Sequence, residues 1–348
     1  MSKKSAGTPI SQYGEFGLID YLTKNIQHKN ESTIKGVGDD AAILDYKSKQ
    51  IVVTTDLLLE GIHFNLMYVP LKHLGYKAVV VNLSDVYAMN AIPKQITVSI
   101  GISSKFTVEA IDEIYQGIYL ACEKYNVDLV GGDTSSSLTG LTISITAIGE
   151  VEKGKVVYRN TAKENDLICV TGRLGAAFMG LQVLEREKEV FAKNPDLQPE
   201  LDHYKTLLES QLKPEARKDI IEWFAKEKII PTSMMDISDG LSSELIHICT
   251  QSKVGCKVFE ERIPIDEVTA KMASEIHIEP LVAALNGGED YELLFTCNIS
   301  NHDKLKENAA ISIIGHICEQ EEGINIIGRA GNIIPVKAQG WNSLMDEK

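Results

Sequence analysis

Residues 71–89 read LKHLGYKAVVVNLSDVYAM, and within them Leu74, Ala78, Val81 and Met89 recur at helical spacing. The segment before, Ile51-Val-Val-Thr-Thr55, is a β-branched run of strand length, and the segment after, Ile96–Ile102, alternates apolar with polar residues. Strand, helix and strand in that order predict an α/β or α+β fold. Outward from this unit, Val108–Tyr125 reads as a second helix. Leu141, Ile143, Ile145 and Ala147 then alternate with Thr142, Ser144 and Thr146, the period of a strand with one wet face.

The periodicity restarts after Gly149-Glu-Val-Glu-Lys-Gly154, with a strand at Leu167–Val170 and a helix from about Leu174. Further helices are predicted near 214–227 and 240–251, and strands at Tyr291–Cys297 and Ile311–Ile317. A boundary near residue 155 divides the 348 residues into domains 1–155 and 156–348, both of ordinary size, with a cleft expected between them. The polar stretch Glu185–Lys213, which holds Pro195 and Pro199, reads as a surface excursion.

Acidic residues outnumber basic ones 49 to 35, a net charge of −14, and no basic stripe is present, so nucleic acid is not an expected partner. Phosphate ligands would be repelled unless divalent cations or backbone N–H groups reverse the local sign. The six cysteines, among them Cys122 and Cys318 at the extremes, are dispersed in apolar segments and read as reduced core thiols. No apolar run reaches the roughly 18 residues of a membrane span, and the first residues, MSKKSAGTPISQYG, lack the apolar stretch of a signal peptide. A cytoplasmic location without membrane attachment is expected.

Four acid-bearing segments stand out: Gly38-Asp39-Asp40, Thr54-Thr55-Asp56, Asn82-Leu-Ser-Asp85 and Gly131-Gly132-Asp133-Thr134. Asp85 lies on the apolar stripe of its helix, where a carboxylate must pair, bind a cation or stay protonated; a nearby cap or lysine would also serve. Asp56 is equally a strand-end turn residue, and Asp39-Asp40 equally a tight bend. If the carboxylates converge, each like-charged pair at about 4 Å repels by roughly 4 kcal/mol at an effective dielectric near 20, so cations must lie between them. Oxygen ligands without a local His or Cys set favour magnesium. Gly287-Gly288-Glu289-Asp290 is a second Gly-Gly-acid segment, and Met235-Asp236-Ile-Ser-Asp239-Gly240-Leu241 places two acids at a helix start, where an N-cap explains one of them. Gly149-x-x-x-x-Gly154-Lys155 lacks the Ser or Thr of a phosphate-binding loop, Val156 standing there, and reads as a hairpin turn.

Taken in order, Gly14-Glu15-Phe16, Gly36–Ala42, Thr54-Thr-Asp56, Gly61-Ile-His63-Phe64, Tyr76-Lys-Ala78, Asn82–Asp85, Ala88-Met89, Gly131–Thr134, Met235–Leu241 and Gly287–Leu293 resemble the thiamine-monophosphate kinase family across nearly the whole chain. The resemblance implies the two-domain fold shared with aminoimidazole-ribotide synthetase: an N-terminal domain that dimerises through its sheet and a larger C-terminal α/β domain. It implies a homodimer, with ATP near the dimer cleft and several magnesium ions. The ligands it implies are Asp40, Thr54, Thr55, Asp56, Asp85, Asp133 and Asp236, with Asp239 on a further ion; Asp56, Asp85 and Asp133 are then central to catalysis. Tyr115, Gly132, Asp133, Arg159 and Ser238 would contact ATP, and His63, Glu289 and Trp341 would face thiamine monophosphate. Blander readings remain for His63 as a satisfied histidine, Tyr115 as core cover, Arg159 as a solvated charge and Trp341 as an anchor. Two segments depart from the family pattern: Gly340-Trp341-Asn342-Ser343-Leu344 at the end, and Asn90, where glycine commonly follows Ala-Met.

The implied reaction is in-line transfer of the ATP γ-phosphoryl to the phosphate of thiamine monophosphate. An acceptor phosphate is already nucleophilic near neutral pH, so positioning and charge neutralisation carry the reaction. Related synthetases of this fold act on other acceptors with a reactive cysteine near the N-terminus or at the C-terminus; here no cysteine precedes 122 or follows 318. A non-catalytic metal-binding protein is the remaining alternative.

Overall fold

The computed structural model describes residues 33–35, 39–40, 42–46, 48–103, 106–194, 196 and 201–337. Among them, β1 (Thr33–Lys35), β2 (Ala42–Tyr46), β3 (Lys49–Leu59), β4 (Ile92–Ile102), β5 (Asp128–Ser136) and β6 (Thr142–Glu152) form one sheet in the order β1-β2-β3-β6-β4-β5. Helix α1 (Leu71–Ala88) joins β3 to β4, and α2 (Val108–Tyr125) joins β4 to the parallel strand β5. A second sheet follows the order β13-β12-β9-β11-β7-β10-β8. Its strands are β7 (Leu167–Thr171), β8 (Ser233–Asp236), β9 (Gly255–Phe259), β10 (Leu293–Cys297), β11 (Ile311–Cys318), β12 (Ile324–Ile327) and β13 (Ile333–Pro335). The helices that accompany it are α3 (Ala176–Lys193), α4 (Lys205–Leu212), α5 (Lys218–Glu227), α6 (Leu241–Ser252), α7 (Glu267–Glu275), α8 (Pro280–Asn286) and α9 (His302–Glu307).

The mixed α/β architecture agrees with the expected class, and the structure refines the reading of α1. A stripe of apolar residues predicts one buried face, yet Lys77, Asn82 and Ser84 are buried along with Leu74, Val79 and Val80. The helix lies between the first sheet and β8 of the second, so it is covered nearly all round. Close approach to α2 is possible because Gly75 has no Cβ: one built there would sit 1.9 Å from the Ile114 carbonyl oxygen. The core continues through α1 from Ile43 and Val52 to Phe224 and Phe295, whose rings meet edge-on at 5.1 Å.

In β6, Ile143, Ile145 and Ala147 face that core while Thr142, Ser144 and Thr146 lie half-buried on the opposite face, as the alternation predicts. Asn90 adopts φ 57°, a left-handed conformation that glycine or asparagine tolerates, and its amide donates to Lys155 O at 2.8 Å. The departure from glycine there is thus conformationally neutral.

Two expectations need correction and one is refined. Glu185–Lys213 lies on the surface over most of its described length, as expected, but it is helical, forming the end of α3 and then α4, and it buries Leu207 and Gln211. The Gly149–Lys155 segment is not a hairpin, because a turn at Lys153-Gly154 ends β6 and no strand follows directly. Tyr291 and Glu292 precede the strand, which starts at Leu293. Among the described residues no helix is long and apolar enough to cross a membrane.

Candidate active site

β3 carries Thr54 and Asp56 on one face and Thr55 on the other, as the strand period dictates. The Thr54 hydroxyl donates to the Asp85 carboxylate at 2.6 Å, whereas Thr55 donates to Ile145 O at 3.0 Å on the far face of the sheet. The strand is tied to α1 at this point: Asp56 N–H donates to Asn82 Oδ1 at 3.0 Å, and Asn82 Nδ2 donates to Ala78 O at 3.0 Å. Asp236 ends β8 and accepts the Ser84 hydroxyl at 2.6 Å. Two sheets and a helix therefore deliver acids to one place.

Carboxylate oxygens of Asp40, Asp85 and Asp236 lie within 4.8 Å of one another. Burial raises the pKa of each. For Asp85 the nearby Asp56, Asp236 and Asp40 charges push it further, and Asp56 itself is raised to about 6 by burial and by Asp236. Asp40 Oδ2 is buried without a hydrogen-bond partner. An all-oxygen set with a spare buried oxygen and mutual repulsion fits a hard divalent cation such as magnesium. Arg159 supplies the nearest positive charge: its Nη2 donates to Asp40 Oδ1 at 2.5 Å, and its backbone N–H and Nε donate to Asp39 Oδ1 at 3.0 and 3.2 Å.

Asp56, Asp85 and Asp236 open onto a cleft of about 1200 Å³ whose walls also include Ser238, Asp239, His63 and Glu289. The Ser238-Asp239 backbone is fixed by Glu244 at the start of α6, whose Oε1 accepts both N–H groups at 3.2 and 2.9 Å. His63 Nδ1 accepts Leu59 N–H at 3.0 Å, which leaves the ring proton on Nε2. Burial lowers its pKa and keeps it neutral.

Four of the expected site residues do not join this group. Thr55 points away from it. Asp133 and Gly132 are exposed on edge strand β5. Register carries Asp133 to Ser99, Ser99 to Ser144 and Ser144 to Leu57, three strand spacings or about 14 Å from β3. Gly132 has its own packing reason, since a Cβ there would meet Val98 O at 1.8 Å. Tyr115 lies on α2 with its ring 6.0 Å from that of Tyr119 and tilted 57° to it, and it is not among the cleft walls. Trp341 and the segment 340–344 around it lie outside the described residues, as does Gly14-Glu15-Phe16.

Several cleft residues were not anticipated: Tyr68, Lys77, Glu185, Lys188, Gln211 and Tyr291. Lys77 offered a signal, a lone cation inside the apolar run 74–81. Tyr291 and Glu289 have positive φ, 50° and 58°, which sequence does not announce for such residues. Glu185, Lys188 and Gln211 sit on helices, and Tyr68 in a turn before α1, that only tertiary packing brings to the cleft.

Residues 38–151, which carry most of the first sheet, its helices and the acids Asp40, Asp56 and Asp85, match the family model described as AIR synthase related protein, N-terminal domain. The thiamine-monophosphate kinase of Aquifex aeolicus is 34% identical over 334 residues, covering 95% of this chain and 98% of that protein. That of Bacillus subtilis is 34% identical over 335 residues, covering 94% and 98%. The solved structure of AaThiL complexed with AMPPCP and TMP superposes with a TM-score of 0.82 at 32% identity, covering 97% of this chain and all of that one. The chain belongs to the thiamine-monophosphate kinase family, a family of phosphotransferases.

Proposed function

We propose that this protein transfers the γ-phosphoryl group of ATP in line to the phosphate of thiamine monophosphate, with magnesium held by its clustered acids. The observation that carries the reading is the convergence of Asp40, Asp85 and Asp236 within 4.8 Å beside a cleft that also holds His63 and Glu289. Asp40, Asp56, Asp85 and Asp236 would hold the metal, with Asp239 within reach of the same cleft. When bound, magnesium supplies neutralisation of the facing phosphates and fixes their orientation. The acceptor is already anionic, so the side chains need only bind and orient it. The Nε2–H of neutral His63 offers a donor to the acceptor phosphate, and Glu289 offers a carboxylate to the cationic heterocycle.

We further propose that the N-terminal 155 residues form the ATP- and metal-binding domain and that two copies pair through the outer face of the first sheet. Leu57 and Val130 are exposed there, and Asp133 is too far from Asp56 to share an ion within one chain. In a dimer Asp133, Gly132 and Tyr115 would meet nucleotide at the edge of the cleft. Light scattering should then give twice 38.4 kDa. A cytoplasmic location accords with the reduced cysteines, all six of which are free and buried.

The decisive experiment is product identification with ATP, magnesium and thiamine monophosphate. Thiamine diphosphate should appear only when all three are present, and excess EDTA should stop it. Unchanged turnover in EDTA would sink the metal-assisted route; ATP consumption without thiamine diphosphate would sink the acceptor.

A further inference from the structure

Among the described residues lining the cleft, two carry a permanent positive charge, Lys77 and Lys188. Lys188 sits over the Tyr68 ring at 5.8 Å and pairs with Glu185 at 2.6 Å, with a quarter of its side chain exposed. Lys77 is different: its side chain is 8% exposed, in the middle of α1. Its ammonium donates to Gln211 O at 2.9 Å and lies 3.1 Å from Glu289 Oε1. Gln211 Nε2 completes the group by donating to Glu289 Oε2 at 2.6 Å. Both oxygens of Glu289 are thereby held, one from α1 and one from α4.

The loop that bears Glu289 has need of such holding. Glu289 adopts φ 58° after Gly288 at φ 70°, and Tyr291 follows at φ 50°. The backbone is pinned to the Asp236–Asp239 segment by Glu289 N–H to Ser238 O at 2.7 Å and Tyr291 N–H to Ile237 O at 2.9 Å. These bonds fix the main chain but leave the Glu289 side chain free to turn. Lys77, Val81 and Asp85 lie at i, i+4 and i+8 on one face of α1, so Lys77 is about 12 Å along the axis from the acid cluster. One helix thus carries both an acid of the cluster, Asp85, and the lysine that grips Glu289.

We propose that Lys77 is a positioning residue for acceptor recognition: it acts through Glu289, aiming that carboxylate into the cleft at a position tied through α1 to Asp85. The proposal rests on the reading of Glu289 as an acceptor contact. Direct capture of the acceptor phosphate by Lys77 is disfavoured, because its ammonium already has two acceptors and little exposure.

A kinetic double-mutant cycle tests this with the full chain, ATP, magnesium and thiamine monophosphate as probe. Lys77→Met should raise the KM for thiamine monophosphate about tenfold or more, the size of coupling found between groups in one hydrogen-bonded network. kcat and the KM for ATP should change by less than about threefold, since the acids and nucleotide side are untouched. Lys77→Arg should recover most of the loss, because a guanidinium also grips a carboxylate. Glu289→Gln should raise the same KM, and Lys77→Met combined with Glu289→Gln should be no worse than the poorer single variant. Effects that multiply in the double variant would overturn the proposal, as would a fall in thermal stability with no change in KM. Should Lys77→Met fail to fold, Gln211→Leu must still raise the acceptor KM by about threefold; an unchanged KM there counts against the proposal equally. Failure of the unmodified chain to make thiamine diphosphate would overturn the proposed function and this inference with it, whereas an active parent with multiplying variants would overturn the inference alone.

Discussion

The two ends of the cleft are built on opposite principles. At one end Asp40, from the bend before β2, meets Asp56, Asp85 and Asp236, carried by β3, α1 and β8, and among the described residues Arg159 is the cation that offsets their charge. At the other, Glu289 is neutralised by Lys77 and bonded by Gln211, but it rides on a loop with left-handed backbone. Rigid elements can hold repelling charges at fixed positions; a strained loop needs attractive contacts to hold its side chain still. The acid end therefore gathers like charges that a cation would offset, while the Glu289 carboxylate already has partners within the chain.

The sharpest way to break this contrast is Asp236→Asn. Turnover should fall more than about 100-fold, because the ligand set loses charge and geometry. Without metal, however, the same variant should be more stable than the parent near neutral pH, since it removes a buried acid whose own pKa burial raises and whose charge pushes up those of Asp56 and Asp85. Asparagine can still accept the Ser84 hydroxyl, so the packing survives. Thermal unfolding in EDTA, alongside turnover in magnesium, reads both signs. A variant destabilised without metal would show that the acids are structural rather than poised. Magnesium should raise the parent's stability by about 2.7 kcal/mol at a hundredfold excess over its dissociation constant, and should do far less for the variant.

At the Glu289 end the corresponding change, His63→Ala, is expected to be milder. It removes a neutral donor from a wall that keeps its other contacts, so the KM for thiamine monophosphate should rise about tenfold, with kcat little changed. A collapse of kcat instead would move His63 to the reacting atoms.

How much of this was legible follows the same division. The strand and helix that bear Thr54, Asp56 and Asp85 were readable because β-branched runs and apolar spacing state their periods directly. That Asp40 and Asp236 complete the cluster could be suggested by motif alone, since their convergence depends on β8 lying across α1. The burial of Lys77 and Gln211 was illegible for a related reason: a lysine in a helix and a glutamine in a polar stretch look solvated until a second layer covers them. Glu289 and Tyr291 hid their conformation because neither residue type prefers positive φ. Asp133 shows the converse, a residue prominent in sequence that a single chain leaves on an exposed edge.

A smaller effect should appear at Asp290, whose neighbours form the strained loop. Its buried carboxyl accepts Gly175 N–H at 2.8 Å and Ala177 N–H at 3.4 Å at the start of α3. Burial outweighs these bonds and raises its pKa from 3.8 to about 8. With the folded value above the unfolded one, the associated stability is full below about pH 4 and is lost as pH rises through 8, on the order of a few kcal/mol. Asp290→Asn should flatten that slope in denaturant unfolding followed from pH 4 to 9. It also exchanges the weaker Ala177 bond for an unfavourable N–H contact, a cost independent of pH, so the slope rather than the absolute stability is the readout. An unaltered slope would mean that the loop's strain is not accompanied by a buried neutral acid.

The least effect is expected where α3 meets the mouth of the cleft. The Tyr68 hydroxyl donates to Glu185 at 2.7 Å, and Lys188 donates to the same side chain at 2.6 Å. Tyr68→Phe leaves Glu185 paired with Lys188, so the loss is that of one hydrogen bond, about 1 kcal/mol or less. The ring still underlies the Lys188 ammonium, and the cleft keeps its shape. Thermal unfolding should therefore drop by a few degrees at most, with both KM values within about twofold. A tenfold rise in the acceptor KM would make Tyr68 a substrate contact and shift the self-contained end of the cleft outward, so that α3 as well as α1 sets where the acceptor lies.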